Sequence, residues 1–233
     1  MPSQSILILP GMDGTGKLLL NFAAALPEQM RCEVSQYPTD VSLSYDQLAN
    51  IVRSFCEDSP PFVLIAESFS TPLAIRIAAE NPANLRGLIL CAGFATSPVR
   101  GLKHWLASLL APALMRLPLP EAAIRSWLVG HDAESTLVTA VRETIASVKP
   151  AVLSARLRAV LACDVRPELR EINVPILSLQ ARHDRLVGPH CVEQIRTIRP
   201  DVRTVVVDGP HFLLQREPQR CAQAVAEFLA TVD

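Results

Sequence analysis

Pro61-Phe62-Val63-Leu64-Ile65-Ala66-Glu67-Ser68-Phe69-Ser70-Thr71-Pro72 decides the architecture of this 233-residue chain. A continuous apolar run of this length reads as a strand buried on both faces, which is the habit of parallel sheets. Thr71-Pro72 then opens a helix, because proline is tolerated in a helix's first turn. Between strand and helix stands Ser68, with the small residues Ala66 and Ser70 two positions to either side. A sharp strand–turn–helix with small flanks is the setting in which a serine hydroxyl is held out of the backbone as a nucleophile. An ordinary serine near a helix N-cap is the plainer reading of the same residues.

Similar apolar runs occur at Ser5–Leu9, Leu85–Cys91, Val174–Leu179 and Val202–Val207, with a weaker alternating one at Arg31–Tyr37. Between them, Tyr45, Leu48, Ile51, Val52, Phe55 and Cys56 repeat at helical spacing. So do Cys191, Val192, Ile195 and Ile198, and again Cys221, Ala222, Val225, Phe228 and Leu229. Buried strands alternating with amphipathic helices predict an α/β fold with a mostly parallel sheet covered on both faces. The alternation breaks once, between about Phe94 and Glu171. The expected organisation is a core of residues 1–95 and 171–233 with a helical cap, residues 96–170, inserted between two strands. Residues 97–170 hold ten Lys or Arg and six Asp or Glu, a net of +4 in a chain of net charge −1.

With 49% apolar and 19% charged residues the chain can bury a full core, and its near-neutral charge argues against nucleic acid as a partner. Six scattered cysteines without a C-x-x-C suggest buried thiols rather than a zinc site or a disulfide framework. No basic, apolar leader is seen, so the expected compartment is the cytoplasm. The stretch Trp105 to Leu119 is too short and too broken by Pro112, Arg116 and Pro118 to span a membrane.

In an open parallel sheet, ligands bind beyond the carboxyl ends of the strands. Three polar residues follow predicted strands there: Ser68, Asp184 in Ala181-Arg182-His183-Asp184, and His211 in Asp208-Gly209-Pro210-His211. A surface turn Asp and a backbone-satisfied loop His are plain readings taken singly. Together they fall on one sheet edge in the order Ser…Asp…His, with room for one helix and one strand between the last two. That is the constellation for nucleophilic acyl transfer.

The loop after the first strand, Pro10-Gly11-Met12-Asp13-Gly14-Thr15-Gly16-Lys17-Leu18, carries a competing signal. Gly11-x4-Gly16-Lys17 matches a phosphate-binding P-loop up to its last position, where Leu18 replaces the hydroxyl that holds Mg²⁺. A nucleotide-binding protein is therefore the alternative from another class. A non-catalytic binding protein on the same scaffold is a third.

Leu9–Gly16 and Ala66–Ser70 resemble the α/β-hydrolase superfamily, and among its members the small bacterial serine esterases with a Pro-Gly-x-Asp-Gly-Thr-Gly loop. The family usually has His-Gly where this chain has Pro10-Gly11. The resemblance implies a sheet of about six strands lacking the family's first hairpin. It implies Ser68, Asp184 and His211 as the catalytic triad and the backbone N–H groups of Met12 and Phe69 as the oxyanion hole. No metal or organic cofactor is called for. The expected substrates are short to medium acyl esters, with Trp105, Leu109, Met115 and Trp127 among the cap residues expected to line the pocket, beside Leu110, Leu114, Leu117 and Leu119. Thioesterase and acyltransferase chemistry use the same residues. The basic cap is also similar to that of pimeloyl-acyl-carrier-protein methyl ester esterases, which implies an acyl carrier protein as partner, met by Arg142, Arg156 and Arg158.

Overall fold

In the computed structural model, residues 5–58, 60–99, 101, 113 and 115–232 are described. Six strands, β1 (Ser5–Leu9), β2 (Arg31–Val34), β3 (Phe62–Glu67), β4 (Leu85–Cys91), β5 (Ile176–Ala181) and β6 (Arg203–Val207), form one sheet in the order β2-β1-β3-β4-β5-β6. Every pairing is parallel, so the sheet is uniformly rather than mostly parallel among the described residues. β1 and β3 align Ser5 with Phe62 through Leu9 with Ala66, which brings the loops after both strands out side by side. The chain runs outward from β1 to β2 and returns on the other side of β1 to form β3. That reversal opens a crevice at the carboxyl ends of β1 and β3.

Alternate strand residues feed two cores. One face buries Leu7, Leu9, Leu64, Ala66, Leu88 and Leu90 beneath the helices Tyr45–Asp58, Thr71–Ala79 and Pro189–Ile198. The other buries Ile6, Ile8, Val63, Ile65, Leu177 and Leu179 beneath Leu20–Ala25 and Pro218–Leu229. The central strands read clearly because both their faces are covered. β2 reads weakly because it is an edge strand whose side chains are exposed or half-buried in alternation.

β5 begins two residues later than the apolar run suggests. Pro175 has no N–H to donate, and its carbonyl instead receives the Leu88 N–H at 3.0 Å. β3 runs one residue further, to Glu67, which is 3% exposed despite its charge. Five cysteines are buried and Cys32 is half-buried; burial pushes Cys32 up to about 11 and Cys163 and Cys221 up to about 12.

Between β4 and β5 the described residues are helical: Glu121–Ala123 continuing into a π-helical turn Ile124–Val129, then Ser135–Ala146, Pro150–Leu161 and Arg166–Glu171. The segment leaves and re-enters through one point. The Val165 N–H donates to the Ala95 carbonyl at 2.8 Å and the Ser97 N–H to Cys163 at 3.1 Å, around an antiparallel bridge of Thr96 with Asp164. No helix among the described residues is long and apolar enough to cross a membrane.

The sheet tolerates little added volume under the C-terminal helix. A Cβ on Gly87 would lie 2.9 Å from Cε1 of buried Phe228. Gly87→Ala should therefore destabilise the fold by about 1–3 kcal/mol, read as a lower midpoint in urea unfolding. An unchanged midpoint would show that the helix Pro218–Leu229 has slack.

Candidate active site

Ser68 stands at φ 47°, a left-handed conformation rare for a residue with a Cβ. Two things hold it there. The Thr71 hydroxyl donates to the Ser68 carbonyl at 2.8 Å, and the small flanks Ala66 and Ser70 are both fully buried. Strain of this kind persists only where its surroundings over-determine it. It lifts the Ser68 hydroxyl, half-buried, out of the strand and toward the last loop of the sheet.

There His211 Nε2 lies 3.0 Å from Ser68 Oγ, and His211 Nδ1 lies 2.8 Å from Asp184 Oδ2. The two ring nitrogens thus face different partners. A carboxylate only accepts, so Nδ1 carries the proton and Nε2 is left as an acceptor for the serine hydroxyl. The His211 and Asp184 side chains are 4% and 3% exposed. Asp184 Oδ1 also accepts the Leu186 and Val187 N–H groups, each at 2.8 Å, which fixes the carboxylate before the imidazole meets it. The three residues expected from the sequence are therefore brought together in hydrogen-bonded series.

His183, which no sequence pattern singles out, stitches the two loops. Its N–H donates to the Gly209 carbonyl at 3.0 Å and its ring bonds Asp208 at 2.9 Å. The His211 loop is also held from the helical segment, where the Leu128 carbonyl accepts the Phe212 N–H at 2.9 Å.

The loop after β1 is pinned to the turn at Ser68 by side chains that periodicity does not flag. Ser70 is completely buried, and its hydroxyl donates to the Pro10 carbonyl at 2.5 Å while accepting from the Tyr37 hydroxyl at 2.8 Å. Burial holds the Tyr37 phenol well above its ordinary range, so it stays a neutral donor. The Tyr45 hydroxyl donates to the Phe69 carbonyl at 2.8 Å, and its ring stacks on Phe69 with centroids 5.0 Å apart.

Within the loop the Gly14 N–H donates to the Gly11 carbonyl at 3.0 Å, closing a turn over residues 11–14. The intervening peptide is trans, so the Met12 N–H points away from that turn. Asp13 Oδ1 accepts both the N–H and the hydroxyl of Thr15, at 2.8 and 2.6 Å, and the Lys17 N–H meets the Thr15 hydroxyl at 3.2 Å. This corrects the P-loop reading. Three of the loop's N–H groups, those of Gly14, Thr15 and Lys17, are bonded within it, and the space over Gly14 is filled by the Arg156 guanidinium, 2.5 Å from where a Cβ would stand.

A further expectation is corrected. Arg156 is not an outer contact for a carrier protein: it is 3% exposed and turned inward under the loop, whereas Arg142 and Arg158 are exposed. The Glu67 carboxyl is buried beside Gly11, where it accepts the Gln215 amide at 2.9 Å.

Among the residues expected to line a pocket, Trp105, Leu109, Leu110 and Leu114 lie outside the described residues. Met115 packs with Met12, Ile145, Val148, Val152 and Leu153 in an apolar cluster beside the first loop. Trp127 is 49% exposed on the π-helical turn next to Leu128. Leu119 and Leu128 gather with Leu18 and Phe212 around Ile124 and Val129, while Leu117 is exposed. Among the described residues no group of three or more His, Cys, Asp or Glu is placed to hold a metal ion.

Comparison with known proteins gives a match of residues 31–219 to the family described as serine aminopeptidase, S33. No curated protein sequence matches the chain. Among solved structures it is similar to a hydrolase from Oleispira antarctica (TM-score 0.85, 14% identity, covering 99% of this chain and 92% of that one). It is similar to a thermophilic esterase from Thermogutta terrifontis (0.84, 20%, 99% and 90%). An enol-lactonase from Burkholderia xenovorans LB400 gives 0.82 at 17% identity over 99% and 92%. At these identities the likeness carries the fold.

Glu67 makes the site's pH response testable. Desolvation raises its carboxyl from 4.5 to about 7, against the opposing Gln215 hydrogen bond. As pH rises, the unfolded chain releases this proton first and the folded chain keeps it until near 7. The group's stabilising contribution is therefore full below 4.5 and lost through about 7. Glu67→Gln cannot titrate, so its stability relative to wild type should rise between about pH 5 and about pH 8 in urea unfolding. A constant difference would mean that the carboxyl does not titrate in that interval.

Proposed function

Because the chain belongs to the serine aminopeptidase (S33) family of the α/β-hydrolase superfamily, we propose that it is a serine carboxylesterase acting on short to medium acyl esters. The family and the fold make it a hydrolase. The observation that carries the finer reading is the series Ser68 Oγ–His211 Nε2 at 3.0 Å and His211 Nδ1–Asp184 Oδ2 at 2.8 Å, with Ser68 held at φ 47°.

In this reading the Ser68 Oγ attacks the ester carbonyl carbon while His211 Nε2 takes its proton. The tetrahedral intermediate collapses, the carbon–alkoxide bond breaks, and the leaving alkoxide receives that proton from His211. Water then attacks the acyl-serine, again losing its proton to His211, which returns it to Ser68 Oγ as the acid departs. Asp184 fixes the imidazole's tautomer and stabilises the imidazolium. The Met12 and Phe69 N–H groups receive the developing oxyanion, each contributing roughly 3–4 kcal/mol of barrier lowering.

Several observations favour an ester over the free amino terminus of a peptide. A protonated amine needs a carboxylate facing the cleft, yet Asp13 in the first loop and Glu67 beside it are buried, the one bonded to Thr15 and the other to Gln215. The apolar cluster of Met12, Met115, Ile145 and Val152 suits an uncharged acyl chain. An enol-lactonase and an esterase share the fold, which supports the same class of bond.

p-Nitrophenyl esters of increasing acyl length should be turned over with an optimum at short to medium chains. Ser68→Ala should lower kcat by about 10⁴-fold or more and abolish labelling by a fluorophosphonate. Equal turnover by wild type and Ser68→Ala would discard the reading.

A further inference from the structure

Arg156 lies on the helix Pro150–Leu161, in the segment between β4 and β5, yet its side chain ends beneath the loop that follows β1. One terminal nitrogen, Nη1, donates to the Met12 carbonyl at 2.8 Å and to the Asp13 carbonyl at 2.7 Å. The other, Nη2, donates to the Pro38 carbonyl at 2.9 Å. The guanidinium carbon sits 5.7 Å from the Tyr37 ring centroid and 5.8 Å from that of Phe69. The charge is thus sandwiched between the first loop and the aromatic pair under the Ser68 turn. The Asp13 carboxylate and the Tyr37 phenol are the titratable groups acting on it.

Burying a guanidinium carries a desolvation penalty that well-packed apolar residues of similar volume avoid, so stability alone gives no reason for an arginine here. What an apolar residue cannot do is hold three carbonyls in one plane. The loop is gripped at two points: the Gly14 N–H takes the Gly11 carbonyl at 3.0 Å, and Arg156 takes the carbonyls of the next two residues. Gly14 has to be glycine for this to happen, both for its φ of 71° and because a Cβ would stand 2.5 Å from Nη1. Fixing the planes on either side of Met12 fixes the direction of its N–H.

We propose that Arg156 is a positioning residue that aims the Met12 N–H at the oxyanion and so makes catalysis depend on how the helical segment is docked. This rests on the proposed hydrolysis at Ser68, which wild-type ester turnover and its loss in Ser68→Ala establish without reference to Arg156. Arg156→Met and Arg156→Lys are then compared with wild type by steady-state kinetics, by active-site titration with a fluorophosphonate, and by affinity for a trifluoromethyl ketone. That inhibitor binds as a tetrahedral oxyanion.

The expected result is a fall in kcat of about 10- to 100-fold in Arg156→Met, with KM within about threefold. Affinity for the trifluoromethyl ketone should fall in parallel, while the titratable fraction of Ser68 stays full. Arg156→Lys keeps the charge and most of the volume and carries the test if the Met variant does not fold. A point ammonium cannot span three carbonyls, so it should restore only part of kcat. An unchanged kcat in the lysine variant, or in both, overturns the inference. So does a loss of activity matched by an equal loss of titratable sites, because that marks a purely structural role.

Discussion

The hydrogen bond from the Ser70 hydroxyl to the Pro10 carbonyl joins the two loops that leave the sheet at its point of reversal. Both loops follow central parallel strands in matched register, so they emerge level with each other, but nothing in the strand pairing fixes the gap between them. Ser70 closes it, with Tyr37 donating from behind. A glycine at this position would ease the turn and leave the Pro10 carbonyl without this partner. The chain accepts a bulkier residue at a crowded turn and gains a direct tie between the Ser68 turn and the neighbouring loop.

Around that tie the site is assembled from carboxyls held by specific donors. Asp184 accepts two amides and one imidazole, Asp13 accepts an amide and a hydroxyl, and Glu67 accepts a glutamine side chain. Each buried carboxyl is aimed by its donors rather than free to rotate. A reactive serine needs such surroundings, because the orientation of the imidazole and of the N–H groups must exist before substrate arrives.

The sequence made the sheet legible where burial was symmetrical. β1 and β4 match the apolar runs residue for residue, since both of their faces are covered. The signal weakened at the edge strand β2 and shifted at β5, where Pro175 delays the ladder. Ser68, Asp184 and His211 were legible because each follows an apolar strand, a position that topology places on one edge. Arg156, Ser70 and His183 were not. Their partners lie 144, 60 and 26 residues away, and a single long-range contact leaves no period in the sequence. Arg156 in particular reads as one more surface charge on a basic segment until its direction is known.

The closure of the helical segment at Ala95–Ser97 and Cys163–Val165 bears on how such a protein diversifies. A segment whose two ends meet exerts no leverage on the strands it connects, so its length and content can drift without disturbing their register. Arg156, like the Leu128 carbonyl that holds the Phe212 N–H, is an exception to that freedom. New material grafted at the neck inherits an intact sheet, but it leaves the loop after β1 unbraced unless it also delivers a cation to the same three carbonyls. The neck makes the segment replaceable, and its ties to the two loops limit what can replace it.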